Sequence, residues 1–152
     1  MSPVKAGYVA ALALAGFACS AATDAGPRHL TIATDQSVYH SGNVIRAQLV
    51  NPGPEPIYTL IPSYNVSLEQ QRGAEWVDLG SFWYGLYLFE PSVHAIGAGD
   101  SLQSNPLSTL SPGLPGGGPG RYRFVFTVYR DTALHQLLPL DARVSNVFEI
   151  VD

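Results

Sequence analysis

The chain has 152 residues, of which 46% are apolar and 13% charged, and its formal net charge is −4. This length and apolar content fit one folded domain and exclude a predominantly disordered chain. The only lysine is Lys5, so the acids outnumber the cations in the rest of the chain. We therefore expect no nucleic-acid partner, because binding to phosphate groups needs clustered cationic side chains.

The N-terminal segment is predicted to be a signal peptide. A short positive start, Met1 to Lys5, precedes an uncharged and largely apolar run at 6–18. This run is too short to cross a bilayer as a helix, which takes about 20 residues. It is typical of the apolar part of a secretory signal, so we expect residues 1–18 to be a signal peptide and the mature protein to be exported.

Cys19, the only cysteine, follows this segment directly and is preceded by Ala18. A lone thiol in an exported protein has no intramolecular disulfide partner. The arrangement resembles the lipobox of bacterial lipoproteins, which implies acylation of Cys19 and attachment to a membrane through its acyl chains. In an envelope with two membranes, Ser20 after the cysteine favours the outer one. The alternative is cleavage after Ala22, which would give a soluble periplasmic or secreted protein.

Residues 19–28 are predicted to be a flexible, lipidated tether, and residues 29–152 a folded domain. In the domain, short runs of alternating apolar and polar residues are separated by Gly, Pro, Asn and Asp, which is typical of strands with one buried face. The predicted strands are 30–33, 44–50, 57–60, 65–70, 74–79, 107–110, 121–128 and 144–150. Their spacing predicts an all-β antiparallel sandwich of about 7–9 strands.

Several local features of this domain are also predicted. The run 71–73 is expected to form a hairpin turn with Gly73 at positive φ. The segment 51–56 is expected to be a loop because it holds three prolines. A helical turn is predicted before Pro139, within 131–140. The side chains expected to face the core are Ile45, Ala47, Leu49, Tyr122, Phe124, Phe126 and Val128.

Tyr122 follows a glycine corner at Gly120, as in the tyrosine corner of immunoglobulin-like sandwiches. Together with the segments 37–42 and 145–148, this makes the chain resemble bacterial immunoglobulin-like modules of envelope lipoproteins. The resemblance implies an immunoglobulin-like fold and carries over no functional residues. Disulfide-bearing members have a cysteine in the slot held here by Phe124, so the core is expected to depend on aromatic packing. The design is also related to the bacterial intracellular proteinase inhibitor family.

The residues 99–102 spell the opening of the GDSL esterase family, whose serine is the nucleophile. That chemistry needs a base beside the serine and donors for the oxyanion. Asp131 and His135 do not have the Asp-x-x-His spacing of that family, and its Gly-x-Asn-Asp oxyanion element is missing. We therefore expect a β-turn at this place and predict no catalytic residue.

No metal or cofactor site is predicted. The four histidines lie in different segments without the paired spacing of zinc sites: His29, His40, His94 and His135. The acids Asp35, Asp100 and Asp131 do not form a dense calcium-binding loop.

The aromatic run at 82–89 contains the candidate interaction surface, formed by Trp83, Tyr84 and Tyr87. Exposed rings there would suit a protein or glycan partner, whereas the alternative is that they complete the core. The predicted function is a non-catalytic envelope lipoprotein whose module binds protein or glycan or has a structural role. The alternative is a protease inhibitor that presents a loop of the sandwich.

Overall fold

The computed structural model describes residues 30–61, 65–81, 90–110, 114 and 118–152. In this part of the chain the all-β prediction is confirmed, since the residues form strands and one 3₁₀-helix, Leu140–Ala142, and none lies in an α-helix. Accordingly, no helix in these ranges is long and apolar enough to cross a membrane. The strands are β1 (Thr31–Thr34), β2 (Val38–His40), β3 (Val44–Ile45), β4 (Ala47–Val50), β5 (Ile57–Ile61), β6 (Val66–Arg72), β7 (Glu75–Ser81), β8 (Ser92–Ile96), β9 (Ser101–Gln103), β10 (Leu107–Ser108), β11 (Gly120–Phe126) and β12 (Phe148–Val151).

The largest sheet has five strands in the order β2-β12-β11-β6-β7. Its neighbours are antiparallel except β2 and β12, which are parallel. Three smaller sheets have the orders β1-β4-β9, β10-β3 and β5-β8. The predicted strand 44–50 is divided at Arg46 into β3 and β4, which is one reason why there are more strands than expected.

One hydrophobic cluster takes side chains from all four sheets. Strand alternation places these side chains on one face of each strand, as two-residue periodicity requires. All seven side chains predicted to face the core are buried, with no more than 1% of each exposed: Ile45, Ala47, Leu49, Tyr122, Phe124, Phe126 and Val128. This part of the sequence prediction is confirmed.

Phe148 is the centre of an aromatic cluster on the inner face of the five-stranded sheet. Its ring centroid lies 5.2 Å from that of Phe124, 5.9 Å from that of Tyr122 and 5.5 Å from that of Tyr39, the last pair being edge-on. All four side chains are fully buried. The expected aromatic packing around Phe124 is thus present.

The hydroxyl of Tyr122 ties the start of β11 to its surroundings. It donates a hydrogen bond to the carbonyl of Gly118 (2.7 Å) and accepts one from Nε2 of Gln70 (2.9 Å). A Cβ at Gly120 would lie 3.2 Å from that Gln70 nitrogen and 3.5 Å from the Tyr122 ring. The glycine therefore lets the chain pass close to the ring that follows it.

The hairpin predicted around Gly73 is confirmed, with β6 and β7 antiparallel and Gly73 at φ +65°. Its turn lies one residue later than expected, because Arg72 still pairs with Glu75.

The helical turn predicted before Pro139 is wrong. The carboxylate of Asp131 accepts hydrogen bonds from the N–H groups of His135 and Gln136 and so closes a loop there instead. The 3₁₀-helix begins after the proline, whose fixed φ of −61° suits a helix start.

Candidate functional site

The loop at 51–56 is fixed by Asn51, the residue directly after β4. Its side chain is only 2% exposed. Both amide hydrogens are used, because Nδ2 donates to the carbonyls of Glu55 (2.8 Å) and Ile96 (3.0 Å). The side-chain oxygen accepts from the N–H of Gly53 (3.1 Å). Asn51 therefore clamps the loop to the end of β8, and the loop prediction is confirmed.

The backbone of Asn51 is also bonded, to the corner that follows β8. Its N–H donates to the carbonyl of Asp100 (3.0 Å), and its carbonyl accepts from the N–H of Gly99 (2.7 Å). With three prolines restricting φ and a buried amide holding its ends, this loop is rigid in comparison with an ordinary surface loop.

This rigid loop forms one wall of a cleft of about 460 Å³, which we call the Asn51 cleft. Ligand pockets in proteins are about 300–1,000 Å³. The lining residues come from three distant parts of the chain: Leu30, Asn51, Gly53, Pro54, Glu55, Pro56, Ile57, Tyr58 and Arg130. The position of Arg130 is set by β5, because Tyr58 and Tyr129 exchange backbone hydrogen bonds of 2.9 and 2.8 Å.

The walls of the Asn51 cleft are mainly apolar, and its two charged residues are Glu55 and Arg130. Both are exposed, and neither side chain makes a hydrogen bond or ion pair with another residue in the described ranges. The cleft thus combines fixed apolar walls with a guanidinium group and a carboxylate that are available to a ligand.

A second polar region lies on the outer face of the five-stranded sheet, around Trp76. The guanidinium of Arg123 lies 4.3 Å from the centre of the Trp76 ring. The same guanidinium contacts Oε2 of Glu69 through Nε and Nη2, each at 2.6 Å. These groups are bonded to one another and half-buried, so Arg123 and Glu69 are already engaged within the sheet.

The residues 99–102 lie in a turn and the strand after it. The N–H of Asp100 donates to the carbonyl of Gly97 (3.1 Å), and Gly99 has φ +79°. The hydroxyl of Ser101 accepts from Nε2 of Gln48 (3.0 Å). The β-turn expected there is confirmed, and the serine is bonded to an amide rather than to a histidine.

The three acids considered for calcium accept hydrogen bonds from other groups of the fold. Asp35 accepts from the hydroxyl of Tyr39 (2.5 Å) and the N–H of Arg46 (3.2 Å), while Asp100 accepts from the N–H of Gly97 (3.2 Å). Burial alone would raise the pKa of Asp131, but hydrogen bonds from backbone N–H groups outweigh it and hold that pKa below its usual value. Among the residues that the structure describes, no group of three potential metal ligands occurs.

The other predicted site residues lie outside the described residues. These are Cys19, which was predicted to be lipidated, and the aromatic residues Trp83, Tyr84 and Tyr87. His29 lies outside them as well. The histidines within them, His40, His94 and His135, lie in β2, β8 and the 131–136 loop.

Sequence reasoning missed the Asn51 cleft. The prolines at 52, 54 and 56 indicated a loop, but no local pattern shows that Leu30 and Arg130 lie beside it. Arg130 reaches the cleft only through the pairing of Tyr129 with Tyr58. The buried Asn51 was the one available signal, since an Asn that precedes a proline-rich turn often bonds to its own loop.

No model of a known protein family matches the chain, and no curated protein matches it. Solved structures that match include the alkylpurine DNA glycosylase AlkC of Pseudomonas fluorescens bound to DNA containing an abasic site analog. That likeness has a TM-score of 0.41 and 14% identity and covers 82% of this chain and 31% of the glycosylase chain. A beta-glucosidase from Listeria innocua in complex with gluconolactone matches with a TM-score of 0.33 and 14% identity, over 81% of this chain and 16% of that chain. The chain thus spans under a third of either structure, and likenesses this low assign it no function.

Proposed function

We propose that the described domain is an immunoglobulin-like β-sandwich. In such sandwiches the first, second and fifth strands share one sheet, while the last two strands join the third strand in the other. In the sheets β1-β4-β9 and β2-β12-β11-β6-β7, the strands β1, β4 and β9 correspond to the first, second and fifth strands, and β6, β11 and β12 to the third and the last two. The strand β2 is an additional strand beside β12. The hydrogen bond from Tyr122 to the carbonyl of Gly118 is the contact expected of a tyrosine corner.

We further propose that the protein is an exported, non-catalytic lipoprotein that binds an envelope partner, protein or glycan, through this domain. The Asn51 cleft carries the proposal, because it combines ligand-sized volume, fixed walls and available charged groups. The sequence adds the means of anchoring: several acyl chains on Cys19, at about 0.8 kcal/mol per buried CH₂, hold a protein stably on a membrane.

Anchoring is tested by fractionating cells that express the full chain or its Cys19→Ala variant. We expect the parent protein in the membrane fraction and the variant in the soluble exported fraction, because the variant has no thiol to acylate. Ser20→Ala is the matched control, since it leaves the cysteine in place. Equal fractionation of the parent and Cys19→Ala would contradict lipidation and favour cleavage after Ala22.

Binding is tested by crosslinking the full chain in intact envelopes and comparing cleft variants with surface controls. We expect Arg130→Gln and Tyr58→Ala to lose crosslinked partners that the parent retains. Arg72→Gln, at the tip of the β6–β7 hairpin, should behave as the parent does. If the cleft variants crosslink normally, recognition takes place at another surface.

A protease inhibitor remains the second candidate, and one observation favours it. The loop tip at Pro54 and Glu55 is exposed, while Asn51 holds the loop in a fixed shape. Inhibitor loops gain affinity from such preorganisation, because little freedom is lost on binding. Stoichiometric inhibition of an extracellular protease, reduced by a Glu55→Arg substitution at the tip, would favour this function over the binding module.

A further inference from the structure

We propose that the Asn51 cleft binds the C-terminal end of a peptide. The free α-carboxylate would contact Arg130, and an apolar last side chain would pack against Leu30 and Ile57. This inference rests on the proposed binding function and names the ligand class of the same cleft.

The carboxylate preference comes from Arg130. Of the five other arginines in the described ranges, Arg46 interacts electrostatically with Asp35, and four form side-chain bonds within the fold. The partners of these four are Gln70 for Arg72, Gln71 for Arg121, Glu69 for Arg123, and the carbonyls of Phe126 and Leu138 for Arg143. Arg130 has no such partner among the described residues, yet it lines the cleft. A guanidinium group binds a carboxylate through two parallel hydrogen bonds, which makes it the natural site for an anion here.

The apolar preference comes from the walls. Leu30 is partly buried against the core, Ile57 is buried, and prolines 54 and 56 offer hydrocarbon without N–H donors. A peptide that ends in an apolar residue carries a carboxylate and a hydrophobic side chain on the same carbon atom. Its carboxylate can therefore bind Arg130 while its side chain packs against the apolar walls.

A glycan fits the cleft less well. Sugar hydroxyls need many polar partners, and this mainly apolar cleft offers few. The amide of Asn51 already donates both of its hydrogens within the protein, which leaves the charged side chains of Arg130 and Glu55. The carboxylate of Glu55 is available, but it disfavours an anionic ligand through like-charge repulsion. Glu55 should therefore weaken binding of a carboxylate without preventing it.

The test is a titration of the full chain with acetyl-Ala-Ala-Leu, followed by NMR chemical shifts or calorimetry. The matched ligand is the same peptide with a C-terminal amide. We expect the free acid to bind about tenfold more tightly than the amide, which is the worth of one charge-assisted contact. Arg130→Gln should lower the affinity for the free acid to that for the amide, and it should leave the affinity for the amide unchanged.

Two further variants sharpen the result. Glu55→Gln should strengthen binding of the free acid by a few-fold, because a like charge is removed, and should not affect the amide. Arg72→Gln should change neither affinity, since it removes an exposed arginine outside the cleft. Raising the salt concentration should weaken binding of the free acid and leave binding of the amide unchanged.

Equal affinities for acid and amide would overturn the role of Arg130. If a neutral oligosaccharide changes the NMR chemical shifts of cleft residues and neither peptide does, the ligand is not a peptide. The proposed binding function of the cleft would still stand. If peptides and oligosaccharides all fail and cleft variants also crosslink normally in envelopes, the proposed function of the cleft fails with the inference.

Discussion

At the scale of single residues, a buried polar side chain forms hydrogen bonds with several groups of a nearby turn or loop. Burial is the main cause that raises the pKa of Tyr39 to about 12, and the hydrogen bond to the carboxylate of Asp35 is the second cause. The hydroxyl of Tyr39 also accepts the N–H of Gln36 (2.9 Å), so one buried ring organises the turn between β1 and β2. Asn51 has the same function for the loop at 51–56. Single buried side chains thus fix loops that the strands alone do not hold.

Tyr122→Phe tests this at the corner before β11. The substitution keeps the ring but removes the hydroxyl between the Gly118 carbonyl and Gln70, leaving both without that partner. We expect a loss of about 1–3 kcal/mol in the free energy of unfolding, measured by urea denaturation.

Tyr58→Phe is the matched control, because the hydroxyl of Tyr58 has no hydrogen bond to another residue in the described ranges. It should change the free energy of unfolding by no more than about 0.5 kcal/mol. Equal effects of the two substitutions would mean that the corner bond contributes nothing measurable.

At the scale of elements, the turn between β6 and β7 depends on the backbone alone. Gly73 has φ +65°, and a Cβ added there would meet no atom within 4 Å. Gly73→Ala should therefore cost about 1–2 kcal/mol through left-handed backbone strain and without any clash. Gly73→Asn should cost less, since Asn enters this region more readily. Urea denaturation of both variants and of the parent protein measures the difference, and a Gly73→Ala variant as stable as the parent would contradict a strained turn.

The edge strand β7 contains a β-bulge that the sequence did not indicate. The register shifts between Ser67 and Glu69, which face Ser81 and Asp78, so β7 has an extra residue and forms a bulge. Gly80 lies in it at φ +93°, and its N–H donates to Oδ1 of Asp78 (2.8 Å). Bulges and charges on an edge strand hinder pairing with other chains.

The strands that could be predicted are those with strong alternation. Ile45, Ala47 and Leu49 alternate with polar neighbours, and their burial followed directly from the pattern. β8 was missed because only Ile96 of its five residues is buried, so it shows no periodicity. β12 begins later than expected, at Phe148, because Ser145 and Asn146 use their side chains to bond to β11 and β1. Such side-chain bonds and the pairing of distant segments, including those that form the Asn51 cleft, leave no period in the sequence.

At the scale of the whole molecule, one aromatic cluster links three neighbouring strands of the five-stranded sheet on the face that lies against the core. The single cysteine, Cys19, precedes the domain, so no disulfide can link its sheets. Phe148 contacts the rings of Tyr39, Tyr122 and Phe124, which belong to β2 and β11 on either side of β12. On the inner face of the sheet, β2, β12 and β11 are thus linked through the single side chain of Phe148.

Phe148→Ala should consequently be among the most damaging single substitutions in the domain. Removing a fully buried phenylalanine costs about 3–5 kcal/mol, which is a large part of the 5–15 kcal/mol that typically stabilises a domain. Phe148→Leu should cost less because it leaves a smaller cavity, and Leu140→Ala, at a side chain 47% exposed, should be nearly neutral. Urea denaturation of the three variants, with and without reducing agent, measures these differences. The reducing agent should have no effect, and a Phe148→Ala variant as stable as Leu140→Ala would mean that the aromatic cluster contributes little to the stability of the domain.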